Sequence, residues 1–124
     1  MSAIELTKEN FQETIDNNDI VFVDFWATWC GPCRQFAPVF EAESKKHEDA
    51  VFGKIDTESQ KELAASFGIQ AIPTLMAFRE KVLVFNQAGA LPPAAFRRLV
   101  EQVKELDMEE VHKQIAEQEA AEKA

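Results

Sequence analysis

Two cysteines, Cys30 and Cys33, are the only ones in the chain, and they stand in Trp29-Cys30-Gly31-Pro32-Cys33. Two intervening residues let the sulfurs approach bonding distance when the pair straddles the first turn of a helix. A helix N-terminus carries about half a positive charge and unpaired N–H groups, and both favour a thiolate there. Cys30, just before the helix, is therefore expected to be the exposed nucleophile. Cys33, one turn in, is expected to be the less exposed resolving thiol. A zinc site needs about four ligands. Beyond the cysteines only His47 and His112 are available, without the usual paired spacing, so no metal is expected. A disulfide across so short a loop would also constrain the unfolded chain very little. Redox chemistry is what a CxxC placed after a strand supports.

The cysteines need a strand to deliver them and a helix to hold them. Ile20-Val21-Phe22-Val23-Asp24-Phe25-Trp26 is a nearly continuous apolar run, short and rich in β-branched and aromatic residues, and reads as a strand buried on both faces. Phe36, Val39, Phe40 and Ala42 recur at helical spacing between Pro32 and His47, with Pro38 expected to kink that helix rather than end it. Within the strand, Asp24 stands out. A carboxylate in an apolar strand costs several kcal/mol unless it is paired or protonated. From the residues alone it is either a solvated edge residue or a proton-handling group.

The remaining elements follow from periodicity and punctuation. Ile4 to Leu6 is a weak strand, and the stretch opened by Thr7, with Phe11 and Ile15, a short helix. Ala50 to Ile55 is a strand and Ser59 to Phe67 a helix stopped by Gly68. Leu75–Phe78 and Val82–Phe85 form a hairpin across Arg79-Glu80-Lys81. Pro92-Pro93 begins a helix with Phe96, Leu99, Val100, Val103 and Leu106 on one stripe. Strands and helices in this order give an α/β fold with a mixed sheet. Trp26 and the phenylalanines read as core, Arg34 and Lys46 as solvated helix charges, and the histidines are given no role.

The chain has 124 residues, 46% hydrophobic with ten Phe, and a formal net charge of −9. One domain with a real core fits that length. The acidic balance argues against nucleic acid and against an anionic membrane surface. Two cysteines are too few for a secreted disulfide framework, the N-terminal stretch is polar, and no apolar run approaches the ~18 residues of a membrane span. A cytoplasmic monomer is expected. From residue 101 onward eight acidic residues face three basic ones, a net of −5.

Phe25-Trp26-Ala27-Thr28-Trp29-Cys30-Gly31-Pro32-Cys33, then Ile72-Pro73-Thr74 and Ala88-Gly89-Ala90, resembles the thioredoxin family over about Ile4 to Leu106. The resemblance implies a central five-stranded mixed β-sheet flanked by helices. It implies a protein-disulfide reductase working through a reversible Cys30–Cys33 disulfide, with no bound cofactor and with electrons from NADPH by way of thioredoxin reductase. It implies that Asp24 is the buried acid assisting proton transfer at Cys33, approached by Lys54. Pro73, an ordinary trans proline from its residues alone, becomes a cis proline facing the cysteines. Trp29, Gly31, Pro32, Ile72, Pro73, Thr74, Gly89 and Ala90 become the active-site motif and a shallow groove in which disulfide-containing protein substrates pair through their main chain. An oxidase or isomerase of this fold commonly has His between the cysteines, and this chain has Gly-Pro. A non-catalytic binding or holdase module is the reading from a different class.

Two features depart from the family pattern. Lys81 occupies a hairpin position where the family usually has Gly, which costs roughly 1–2 kcal/mol if the backbone there keeps φ above zero. Residues 107–124 form an acidic extension beyond the domain at residues 1–106. Asp107 and Glu110 have capping-box spacing, and Met108, Val111 and Ile115 helical spacing. A helix is expected at the start of the extension, with a solvated, fraying tail beyond about Ala116.

Overall fold

The structure is a computed structural model that describes residues 2–123. Five strands, β1 (Ile4–Glu5), β2 (Ile20–Trp26), β3 (Val51–Asp56), β4 (Thr74–Arg79) and β5 (Val82–Ala88), form one sheet in the order β1-β3-β2-β4-β5. β1, β3 and β2 run parallel, while β4 is antiparallel to both β2 and β5. The helices are α1 (Phe11–Asn17), α2 (Gly31–Ser44), α3 (Lys61–Ser66), α4 (Pro93–Lys104) and α5 (Met108–Lys123).

β2 is the central strand, and its unbroken apolar character follows from that place. Phe22 joins Phe36 and Phe40 of α2, Phe52 of β3 and Phe96 of α4 in one cluster. Val21, Val23 and Phe25, alternating onto the other face, pack with Phe11 and Ile15 of α1 and with Leu63, Phe67 and Ile69 around α3. The sheet is thus covered by α2 and α4 on one side and by α1 and α3 on the other. Aromatic pairs tighten the first side: Phe22 stacks on Phe52 with centroids 4.8 Å apart, and Phe36 meets Phe96 edge-on at 5.2 Å.

α2 passes through Pro38 unbroken, with Pro38 on its solvent side, so the missing N–H lies where water can serve the orphaned carbonyl. Thr7 to Asn10 forms a turn rather than helix, and α1 starts at Phe11. Arg79 is the last residue of β4, not part of the turn. It is buried, and its Nη1 donates to the carbonyls of Val103 (2.6 Å) and Lys104 (3.2 Å), capping α4. Leu106, expected on the buried stripe of α4, lies past its end and is 36% exposed.

The last element also differs from expectation. The helix that starts at Met108 continues to Lys123 instead of fraying after Ala116. Asp107 accepts the Glu110 N–H at 3.2 Å as its cap, Met108 is buried, and the His112 Nε2–H donates to Glu80 Oε1 at 2.9 Å. Good helix formers, Ala, Glu, Gln and Lys, fill the rest of the element and carry it past its last packed residues.

Candidate active site

The loop from Ala27 to Cys30 connects the end of β2 to the start of α2, and three local features hold it. The Arg34 guanidinium donates to the Thr28 carbonyl at 2.8 Å, the Cys30 carbonyl accepts the Arg34 N–H at 3.1 Å, and Pro32 sits in the first turn. Cys30 is the N-cap, in an extended conformation, and its Sγ accepts the Cys33 N–H at 3.2 Å. The two sulfurs are bonded as a disulfide, with Cα atoms 5.2 Å apart. The N–H that reaches Cys30 Sγ is the kind of donor that favours a thiolate over a thiol once the disulfide opens.

Cys30 is less exposed than expected: 5% against 2% for Cys33. Ala27, Trp26 and Ile72 pack around the pair, and the protruding group of the loop is Trp29, 65% exposed. Gly31 is half-buried and Pro32 exposed beside it. An exposed aromatic side chain thus stands next to the nearly buried Cys30.

The opposing wall comes from the start of β4. The Ile72–Pro73 peptide is cis, and Cys30 Sγ lies 3.7 Å from the Ile72 carbonyl oxygen. The Thr74 hydroxyl donates to the Ala71 carbonyl at 2.6 Å, which fixes the approach to the strand. Gly89, at φ +107, donates its N–H to the Pro73 carbonyl at 2.8 Å and draws the exposed Gly89-Ala90 segment alongside. Trp29 and Ile72 also line a cleft with Thr57, Lys61, Ala65 and Ile69. These α3-side residues were not anticipated from the sequence. They lie far from the cysteines along the chain, and only the position of α3 brings them close.

Asp24 shares the α2-covered side of β2 with Phe22 and Trp26. It has no solvent exposure, and neither carboxylate oxygen has a hydrogen-bond partner among the described residues. Burial pushes its pKa up to about 7, with the Lys54 charge pulling in the opposite direction. Lys54 is the lateral neighbour of Asp24 across the β2–β3 pair, and its Nζ stands 4.9 Å from the centroid of the Trp26 ring. Trp26, read as core from the sequence, is only half-buried and contacts a charged group. His47 is buried as well: its Nε2–H donates to Glu43 Oε1 at 2.9 Å and its Nδ1 accepts from the Lys104 ammonium at 3.1 Å. That network sits at the far end of α2 and braces it against α4.

Among the described residues, no group of three or more His, Cys, Asp or Glu is arranged to hold a metal ion, and no helix is long and apolar enough to cross a membrane. The chemistry this arrangement can perform is transfer of two electrons between a dithiol and a disulfide, with a buried acid on hand for the proton.

The thioredoxin family model matches residues 2–105. A putative thioredoxin 2 from Streptomyces coelicolor is 57% identical over 119 residues, 96% of this chain and 89% of its own length, and a match of that length runs on into α5. Thioredoxin C-3 from Corynebacterium nephridii is 39% identical over 103 residues, covering 82% of this chain and 71% of its own. Among solved structures, a point mutant of a thioredoxin from Halobacterium salinarum superposes with a TM-score of 0.76 at 32% identity, over 84% of this chain and 91% of that one. The chain belongs to the thioredoxin family and is a thiol–disulfide oxidoreductase, a protein-disulfide reductase whose redox group is the reversible Cys30–Cys33 disulfide.

Proposed function

We propose that this reductase acts by two successive exchanges. The Cys30 thiolate attacks one sulfur of a disulfide in a substrate protein. A Cys30–substrate disulfide forms, and the second substrate sulfur leaves as a thiolate. Cys33 then gives its proton to the Asp24 carboxylate and attacks the Cys30 sulfur. The Cys30–Cys33 disulfide forms, the remaining substrate sulfur leaves and is protonated, and two electrons have passed to the substrate. Lys54 tunes the Asp24 carboxyl through its charge. The observation that carries this reading is the bonded cysteine pair at the first turn of α2, with an unpartnered buried carboxyl on the same side of the sheet.

Trp29, Gly31, Pro32, Ile72, Pro73, Thr74, Gly89 and Ala90 form the surface on which an extended substrate segment lies, held largely by main-chain bonds and so tolerant of sequence. Thioredoxin reductase returns the pair to the dithiol with electrons from NADPH. The catalytic unit is residues 1–106, with 107–124 an acidic accessory segment, and the protein works as a monomer in the cytoplasm.

The test is reduction of insulin disulfides coupled to thioredoxin reductase and NADPH, run with single-cysteine variants. Cys33→Ser is expected to accumulate a Cys30–substrate disulfide on denaturing gels, and Cys30→Ser to form none. Trapping through Cys33 alone would reverse the assigned roles.

A further inference from the structure

Lys54 and Asp24 are lateral neighbours on adjacent parallel strands, the placement in which a lysine and a carboxylate ordinarily pair. They do not. Both Asp24 oxygens lack a hydrogen-bond partner, and Lys54 forms no ion pair with any carboxylate among the described residues. Its ammonium instead stands over the indole of Trp26, 4.9 Å from the ring centroid. Trp26 is two residues beyond Asp24 and projects from the same side of β2, so the ring is correctly placed to draw the lysine outward along the strand. Trp26 and Lys54 also line a cleft with Ala3, Ile4, Glu5 and Asp56 at the β1 edge of the sheet.

We propose that Trp26 is a positioning residue for the proton relay: its indole face holds the Lys54 ammonium out of contact with Asp24, leaving that carboxyl free to take up and return the Cys33 proton. A direct Lys54–Asp24 ion pair would stabilise the carboxylate and make it too weak a base to accept a proton near neutrality. The attraction of a cation to an aromatic face has no titration of its own, so the pull of the ring on Lys54 is the same whichever form Asp24 is in. Two other carboxylates share this side of the sheet, and neither pairs with Lys54 among the described residues: Glu5, its lateral neighbour on β1, is exposed, and Asp56, the next residue of β3 on the same face, accepts the Glu58 N–H at 2.9 Å. Leu75 of β4 is apolar, α2 contributes the cysteine pair, and α4 contributes Phe96, Leu99 and Val100. Burial pushes the Asp24 pKa up to about 7, and the Lys54 charge pulls it down.

This inference rests on the role given to Asp24 above, and the experiment separates the two. The Asp24 side-chain carboxyl is titrated by carbon-13 NMR in the wild type, Trp26→Leu, Lys54→Met and the double variant. In the wild type the Lys54 Hε protons are expected upfield of ordinary lysine, shifted by the indole ring current. Trp26→Leu is expected to lower the Asp24 midpoint by about one pH unit, as Lys54 closes on the carboxyl. In the Lys54→Met background the same change at residue 26 is expected to leave most of that fall absent. Trp26→Phe, which keeps an aromatic ring of weaker cation affinity, is expected to give a smaller fall, and it serves if the leucine variant does not fold. An unshifted Hε signal, a midpoint that does not fall with Lys54 present, or an equal fall without Lys54 overturns the proposal. Separately, disulfide reduction by Asp24→Asn is followed across pH: a profile unchanged from the wild type removes the proton role of Asp24, while the NMR series still decides where Trp26 holds the lysine.

Discussion

Asp24 keeps its proton in the folded protein up to about pH 7, whereas the unfolded chain releases it near the ordinary value of 3.8. The folded state therefore binds more protons between those values, and stability falls as pH rises through that window. Above it the full cost of an ionised buried carboxylate is present. Asp24→Ala is expected to raise unfolding free energy at about pH 8 by on the order of 2–4 kcal/mol, after a small cavity penalty, and by almost nothing at about pH 4. Urea unfolding at both values checks this, and an equal gain at both would remove desolvation as the cause. The same variant is expected to reduce disulfides more slowly. At this scale the sequence is informative about residue types: the cysteine spacing and a lone carboxylate in an apolar strand each announce chemistry. It is uninformative about contacts. Trp26 reads as one more core aromatic because cation–π contact depends on what a neighbouring strand presents, and Cys30 reads as exposed because nothing near it in the chain announces that Ile72, 42 positions along, covers it.

Elements resolve the two departures from the family pattern. The β4–β5 turn is closed by Glu80 and Lys81 alone, at φ +48 and +71, the paired left-handed conformation whose twist matches that of the strands it joins. Neither residue is glycine. Lys81→Gly is expected to stabilise the protein by about 1 kcal/mol, read as a rise of a few degrees in Tm. Glu80 has a compensating contact, since its carboxylate accepts from His112 on α5. The turn and the acidic helix are thus coupled, a link between positions 32 apart that no local pattern announces. Removing residues 107–124 strips that bond and the buried Met108 from the fold. The truncated protein is expected to lose about 1–3 kcal/mol in urea unfolding while insulin reduction stays unchanged. Element types were legible because each run of apolar residues had a clear period. Element ends were less so: α1 starts only at Phe11, after a turn whose Asn10 N-cap makes no side-chain cap bond, and the end of α4 is capped by a buried Arg79 supplied from elsewhere.

For the whole molecule, the alternation of strands and helices reads directly as α/β, but the lateral order β1-β3-β2-β4-β5 does not, because order is a property of how layers close. Gly53 illustrates the difference. A glycine inside a strand has no side chain to pack; in the structure a Cβ at Gly53 would come 2.6 Å from Leu6 Cγ, and Leu6 is completely buried. Gly53→Ala is expected to cost about 1–3 kcal/mol, measured as a lowered urea midpoint with the same slope, since the segment around β1 must lift for the methyl group to fit. The net charge of −9 likewise divides unevenly, with −5 from residue 101 onward, so the acidity that first excluded nucleic acid belongs largely to α5 and its approach.

The central place of β2 also sets an order in time. β2 is complete only when β4 lies against it, pairing Ile20 with Arg79 and Phe25 with Thr74, more than 45 residues later. During synthesis both cysteines therefore leave the ribosome well before the strand that walls them in, and non-local pairing of this kind is slow to form. Until residue 79 has emerged, the nascent chain carries the two thiols without the enclosure that selects their reaction partners, and a chain halted there would be a dithiol, not a reductase.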